Sequence, residues 1–154
     1  MKQLLLVSWL LLLSAILGLP EVKADVRMPL IFGNHMVLQQ DTRITIWGWA
    51  DAGENIEVLF AGQKVRTTAN ADGTWQVKLK PVKTKKKGET LTITGKNKLV
   101  YSDVLVGDVW VASGQSNMEW GIKVRKEYAD DIAHSEDSLL RLFFVPKNTS
   151  LQPL

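Results

Sequence analysis

Cysteine is absent from all 154 residues. That excludes a thiol nucleophile, a disulfide framework, a lipid-attachment cysteine and any zinc site built on thiolates. Histidine is nearly absent as well, with only His35 and His134 present, so neither a metal nor a cofactor is expected. Long apolar runs are also scarce. The one candidate, Leu4 to Leu17, covers roughly 14 residues, short of the ~20 that a spanning helix needs. It follows Lys2 and precedes Val22-Lys23-Ala24, the arrangement of a secretory signal peptide over residues 1–24, cleaved before Asp25. A secreted or periplasmic product with no membrane attachment after cleavage is the expectation. A strong charge of one sign is missing too. The formal charge is +3, and residues 1–24 carry Lys2, Lys23 and Glu21, so the remainder is nearly neutral and no nucleic-acid partner is expected. The one basic cluster, Lys83 with Lys85, Lys86 and Lys87, precedes Gly88 and suits a solvated hairpin tip.

What is present from Arg27 to about Ser102 is the punctuation of an antiparallel β-domain, with short runs of Val, Ile, Thr and Trp broken by Gly, Asp and Asn. Ile44 to Trp49 alternates, Asp51-Ala52-Gly53-Glu54 turns the chain into Ile56 to Phe60, and another strand runs from Gln63 to Thr68. Asp72-Gly73 suits a tight turn that returns Trp75 to Leu79 antiparallel, and Leu91 to Thr94 and Leu99 to Tyr101 complete the set. Residues 25–103 therefore read as an all-β sandwich or jelly-roll-like module.

The pattern changes near Gly107-Asp108. Val109-Trp110-Val111-Ala112 is continuously apolar, as a parallel strand covered on both faces would be. A small-residue turn, a helical stretch around Val124 to His134 and a second apolar run from Leu139 to Val145 follow, which makes one β-α-β unit. Residues 104–154 are read as the incomplete start of an α/β domain, since a whole domain usually takes ~100–200 residues.

Gly114-Gln115-Ser116-Asn117-Met118 would then sit at the carboxyl end of a parallel strand and before a helix, where α/β sheets bind ligands. The glycine permits a sharp turn, and N–H groups at the start of the next element suit the oxyanion formed when a hydroxyl attacks an ester. The G-x-S-x-G elbow of α/β-hydrolases is not matched. Asp131 and His134 have D-x-x-H spacing, but about 100° per residue from Val124 places Val124, Tyr128, Ala129, Ile132 and Ala133 on one side. Glu127, Asp130, Asp131 and His134 then share the polar side, so the pair is expected to face water. His35 is assigned no role. Trp47, Trp49 and Trp75 suit either packing or stacking on sugar rings. Asn148-Thr149-Ser150 matches a glycosylation acceptor.

The block from Val104 to Trp120, VLVGDVWVASGQSNMEW, resembles the nucleophile region of sialate O-acetylesterases, which belong to the SGNH hydrolases. Met36 to Gln40, Ile46 to Ala50 and Gly53-Glu54 resemble that family's N-terminal β-domain. The resemblance spans about Met28 to Trp120, with a looser match to Val145. It implies an N-terminal portion of a carbohydrate esterase with a flavodoxin-like parallel sheet. Ser116 would be the nucleophile, its backbone N–H a part of the oxyanion hole, and an O-acetylated sugar or glycan the substrate. It also implies that the base lies in a D-x-x-H block beyond Leu154, which makes this chain inactive by itself. Two other readings stay open: a secreted carbohydrate-binding β-module over residues 25–103, and a pseudoenzyme that binds esters without turning them over. Neither the acetylated sugar nor the oligomeric state is legible.

Overall fold

The computed structural model describes residues 25–119, 121 and 126–145. The expected signal peptide, the start of the expected helix at Val124 and the glycosylation pattern lie outside them. No described helix is long and apolar enough to cross a membrane. The described residues are mostly β-sheet. Seven strands follow one another: β1 (Val37–Gln39), β2 (Ile44–Trp49), β3 (Asn55–Phe60), β4 (Gln63–Thr68), β5 (Thr74–Leu79), β6 (Lys85–Thr94) and β7 (Lys98–Gly107). Five form a sheet in the order β1-β7-β6-β3-β4, and β2 pairs with β5 in a second, two-stranded sheet. All pairings are antiparallel except β1 with β7.

Alternation explains which side of each strand is wet. In β2, Ile44 and Ile46 point inward while Thr45 and Trp47 point out; in β5, Trp75, Val77 and Leu79 point inward. The larger sheet contributes Ile56, Val58 and Phe60 from β3, Leu91 and Ile93 from β6, and Val104 and Val106 from β7. The two sheets thus close over one core. Buried polar groups fasten its loops. The Glu54 carboxylate is buried and accepts the backbone N–H groups of Asp51 at 3.1 Å and Lys96 at 2.6 Å. The Asn97 side chain bonds both backbone groups of Val26, at 2.8 and 3.1 Å. Only glycine fits at position 95, because a Cβ there would stand 2.3 Å from Glu54 Oε1 and 2.5 Å from Val26 Cγ2.

Three expectations change. Trp75 to Leu79 does not return against the preceding strand: β5 pairs with β2, and β4 pairs with β3 through the two-residue Ala61-Gly62 turn, where both residues have positive φ. Asp72-Gly73 does form a turn, with Gly73 at φ +78°, but that turn carries the chain from one sheet to the other. Gln63 laces the two sheets together, its side chain bonding the Lys80 N–H at 2.8 Å and carbonyl at 3.1 Å. The lysine cluster is solvated but is not a loop tip. Lys85, Lys86 and Lys87 belong to β6, which Lys85 opposite Val106 and Glu89 opposite Val104 hold to β7 across a register shift, and their exposed side chains tolerate charge. β7 itself runs to Gly107, so Val104, Leu105 and Val106 are buried members of this sheet.

Beyond Gly107 the regular structure thins. Val109 to Ala112 forms no strand, and neither does Leu139 to Val145. Trp110 is 88% exposed and Phe144 83%. A parallel strand needs a neighbour for its backbone groups and a layer for each face, and among the described residues no strand pairs with either run. The expected helix is short here: a 3-10 turn at Lys126–Tyr128 leads into the single α-helix among the described residues, α1 (Ala129–Ala133).

Candidate active site

Strand pairing joins two sequence blocks about seventy residues apart. Val37, Leu38 and Gln39 lie in parallel register with Leu105, Val106 and Gly107. The main chain continues the pairing one step, the Gln40 N–H donating to the Gly107 carbonyl at 2.9 Å. Two glutamine side chains then clamp the exit of β7. Gln39 Oε1 accepts the Val109 N–H at 2.8 Å, and Gln40 Nε2 donates to Asp108 Oδ1 at 3.0 Å. A short apolar strand with polar ends thus fixes where the chain leaves the sheet on its way to Ser116.

Ser116 opens a 3-10 turn, Ser116–Glu119, and is exposed. The Met118 N–H closes the turn onto the Gln115 carbonyl at 2.9 Å. A Cβ at Gly114 would come within 2.7 Å of Met118 Cγ, a contact that the exposed Met118 side chain can relieve by moving. As the first residue of the turn, Ser116 has its N–H ahead of the turn's own hydrogen bonds, a position from which a backbone donor can face an anionic oxygen.

Neither histidine reaches Ser116 by a hydrogen bond. His134 Nδ1 lies 2.8 Å from the Asp130 carbonyl oxygen, inside its own helical turn, so the Asp131–His134 spacing yields no carboxylate–imidazole contact among the described residues. His35 does have a carboxylate: its Nδ1 is 2.7 Å from Asp103 Oδ2. That same oxygen accepts from Arg141 Nη2 at 3.0 Å, and Arg141 also holds the Ser138 carbonyl. The His35 hydrogen bond, and after it that of Arg141, hold the Asp103 carboxyl below its usual range. Arg141 thereby ties the segment after α1 to the end of the β-module. Sequence reasoning missed this triad because its members lie 38 and 68 residues apart. The nearest signal was local backbone: His35 and Asp103 both adopt positive φ, +62° and +53°. No group of three or more potential metal ligands occurs among the described residues.

The tryptophans separate by environment. Trp75 is core at 2% exposure, whereas Trp47 stays 39% exposed on the outer face of β2.

No protein-family model matches the chain. Sialate O-acetylesterase from Rattus norvegicus is 37% identical over 128 residues, covering 73% of this chain and 23% of that protein. The enzymes from Mus musculus and Homo sapiens are 32% and 30% identical over 136 residues. The chain is a homologue of sialate O-acetylesterases over part of their length. It spans about a quarter of those relatives, between 23% and 26%. Among solved structures, a carbohydrate acetylesterase from Xanthomonas citri superposes with a TM-score of 0.77 at 37% identity, covering 84% of this chain and 30% of that one. The likeness to sialate O-acetylesterases thus covers most of this chain, and most of its fold is shared with a carbohydrate acetylesterase.

Proposed function

We propose that this chain is part of a secreted or periplasmic serine esterase that releases acetate from O-acetylated sugars, with Ser116 as its nucleophile. The observation that carries this reading is the parallel pairing of β1 with β7, which delivers the chain through the Gln39–Gln40 clamp to the Gly114-Gln115-Ser116 turn. Ser116 Oγ attacks the acetyl carbonyl carbon while a base accepts its proton. The Ser116 N–H shares in stabilising the oxyanion, the ester C–O bond breaks, and the sugar oxygen leaves with a proton. Water then attacks the acetyl-enzyme, releasing acetate and restoring the serine. Neither His35 nor His134 hydrogen-bonds Ser116, and neither is assigned the base's role. In this reading the chain after Gly107 begins a parallel-sheet SGNH domain, and Val109 to Ala112 becomes a strand when its neighbours are supplied.

The test is to put residues 25–145 in place of the matching segment of the Xanthomonas citri carbohydrate acetylesterase and to assay acetate release. A folded chimera is expected to hydrolyse an acetylated sugar, with Ser116→Ala lowering the rate by roughly 10⁴-fold or more, the scale seen when a nucleophile is removed. The 154-residue chain without such a partner is expected to show no Ser116-dependent turnover. A folded, active chimera indifferent to Ser116→Ala, or Ser116-dependent turnover by the chain unaided, contradicts the proposal.

A further inference from the structure

The outer face of the β2–β5 sheet is polar except in one place. Cross-strand pairs run Thr45–Lys78, Trp47–Gln76 and Trp49–Thr74. The Trp47 ring is braced on two sides, edge-on to Phe32 at 6.3 Å and to Trp49 at 5.6 Å. Such bracing fixes the indole before anything binds, so little side-chain entropy remains to be lost. Beside it lies a shallow groove of about 350 Å³ whose lining includes Trp47, Trp49, Asn70, Thr74 and Gln76. Its polar rim is preset as well. Asn70 Nδ2 donates to Thr74 Oγ1 at 3.0 Å, and Thr74 Oγ1 donates to Asp72 Oδ1 at 2.7 Å.

Size and charge decide what fits. A standard protein partner buries ~800 Å² on each side. An aromatic side chain carries ~150–250 Å², so an indole 39% exposed and its half-buried neighbour offer on the order of 100 Å² of apolar surface. That is the scale of one or two sugar rings. No charged side chain lines the groove; the nearest cations along the strands are Lys78, one cross-strand pair further along, and Arg27, bridged to Trp49 at the other end. Asp72 lies outside the lining, and its Oδ1 is taken by the Thr74 hydroxyl and N–H. We infer that this groove binds a neutral pyranose saccharide, with the sugar ring against Trp47 and its hydroxyls on Gln76 and Asn70, and that it disfavours an anionic sugar, which would need a cation in the lining. The site acts independently of Ser116, so its test reads binding and no hydrolysis.

The experiment is isothermal titration of the 154-residue chain with cellohexaose, xylohexaose and mannohexaose, and separately with N-acetylneuraminic acid. At least one neutral oligosaccharide is expected to bind saturably and more tightly than the acidic sugar. Trp47→Ala is expected to weaken that binding about tenfold, the loss of one aromatic contact, with an unchanged Tm as the folding control. If Trp47→Ala does not fold, Gln76→Ala carries the test, with an expected loss of a few-fold, the worth of one hydrogen bond. Absence of saturable binding to any neutral oligosaccharide overturns the inference. So does binding that a folded Trp47→Ala or Gln76→Ala leaves unchanged, or tighter binding of N-acetylneuraminic acid.

Discussion

Residues 25–107 and 108–145 contain the same kinds of apolar residue and treat them oppositely. In the first region Ile46, Val58, Leu79, Leu91 and Ile93 are sealed completely. In the second, Val111, Leu142 and Phe144 are each more than 80% exposed. Local sequence cannot account for this, since Val-Trp-Val-Ala at 109–112 is as strand-like as Leu-Thr-Ile-Thr at 91–94. The difference is company. Leu91 to Thr94 lies between β3 and β7, whereas no strand among the described residues flanks Val109 to Ala112. A hydrophobic pattern states what an element needs covered, and the element forms only where the cover is present.

Substitution is the sharpest way to break this contrast. Trp75→Ala in the core is expected to cost about 3–5 kcal/mol in urea unfolding, through lost burial and the cavity left behind. Phe144→Ala is expected to cost under ~0.5 kcal/mol, as surface changes do. Comparable costs would mean that Phe144 is packed after all. The glycines give a smaller effect of the same kind. Gly95→Ala forces a methyl against Glu54 and Val26 and is expected to cost about 1–3 kcal/mol. Gly114→Ala meets only the flexible end of Met118 in an exposed segment, and its midpoint is expected to match that of the parent chain.

The weakest effect concerns the tie from the far end of the second region back to the first, Arg141 to Asp103. A carboxyl whose folded pKa is lowered contributes stability above its unfolded pKa, about 4, and loses that contribution as pH falls through the lower folded value. The Arg141 tether is therefore expected to be intact at neutral pH and to loosen below about pH 4, followed by the NMR shift of its side-chain Nε. Asp103→Asn is expected to abolish that pH step. A step that persists in the variant would assign it to another group.

Much of the β-module is legible in the sequence because alternation is a local signal. β2, β3, β4 and β5 fall where period-two patterning predicts them, within a residue at their starts. Partner choice is not local, which is why β5 crosses to β2. β1 is three residues long and gains its identity from β7, so Val37 to Gln39 carries no strand signal of its own. Ser116 is proposed as the nucleophile from its sequence block alone. The clamp that leads to it, Gln39 and Gln40 on Asp108 and Val109, needed the fold, as did the meeting of His35, Asp103 and Arg141. Trp47, Trp49 and Trp75 are indistinguishable as letters, and only the alternation of two paired strands separates a core tryptophan from an exposed one.

Native-state hydrogen exchange on the 154-residue chain tests the central contrast most directly. The amides of Ile46, Val58, Ile93 and Val106 are expected to be among the slowest, opening only with global unfolding, while those of Trp110 to Ser113 and Leu142 to Val145 exchange at close to their unprotected rates. Protection of Val109 to Ala112 on a par with β7 would contradict the account, because it would mean that this segment has found its strand neighbours within the chain itself.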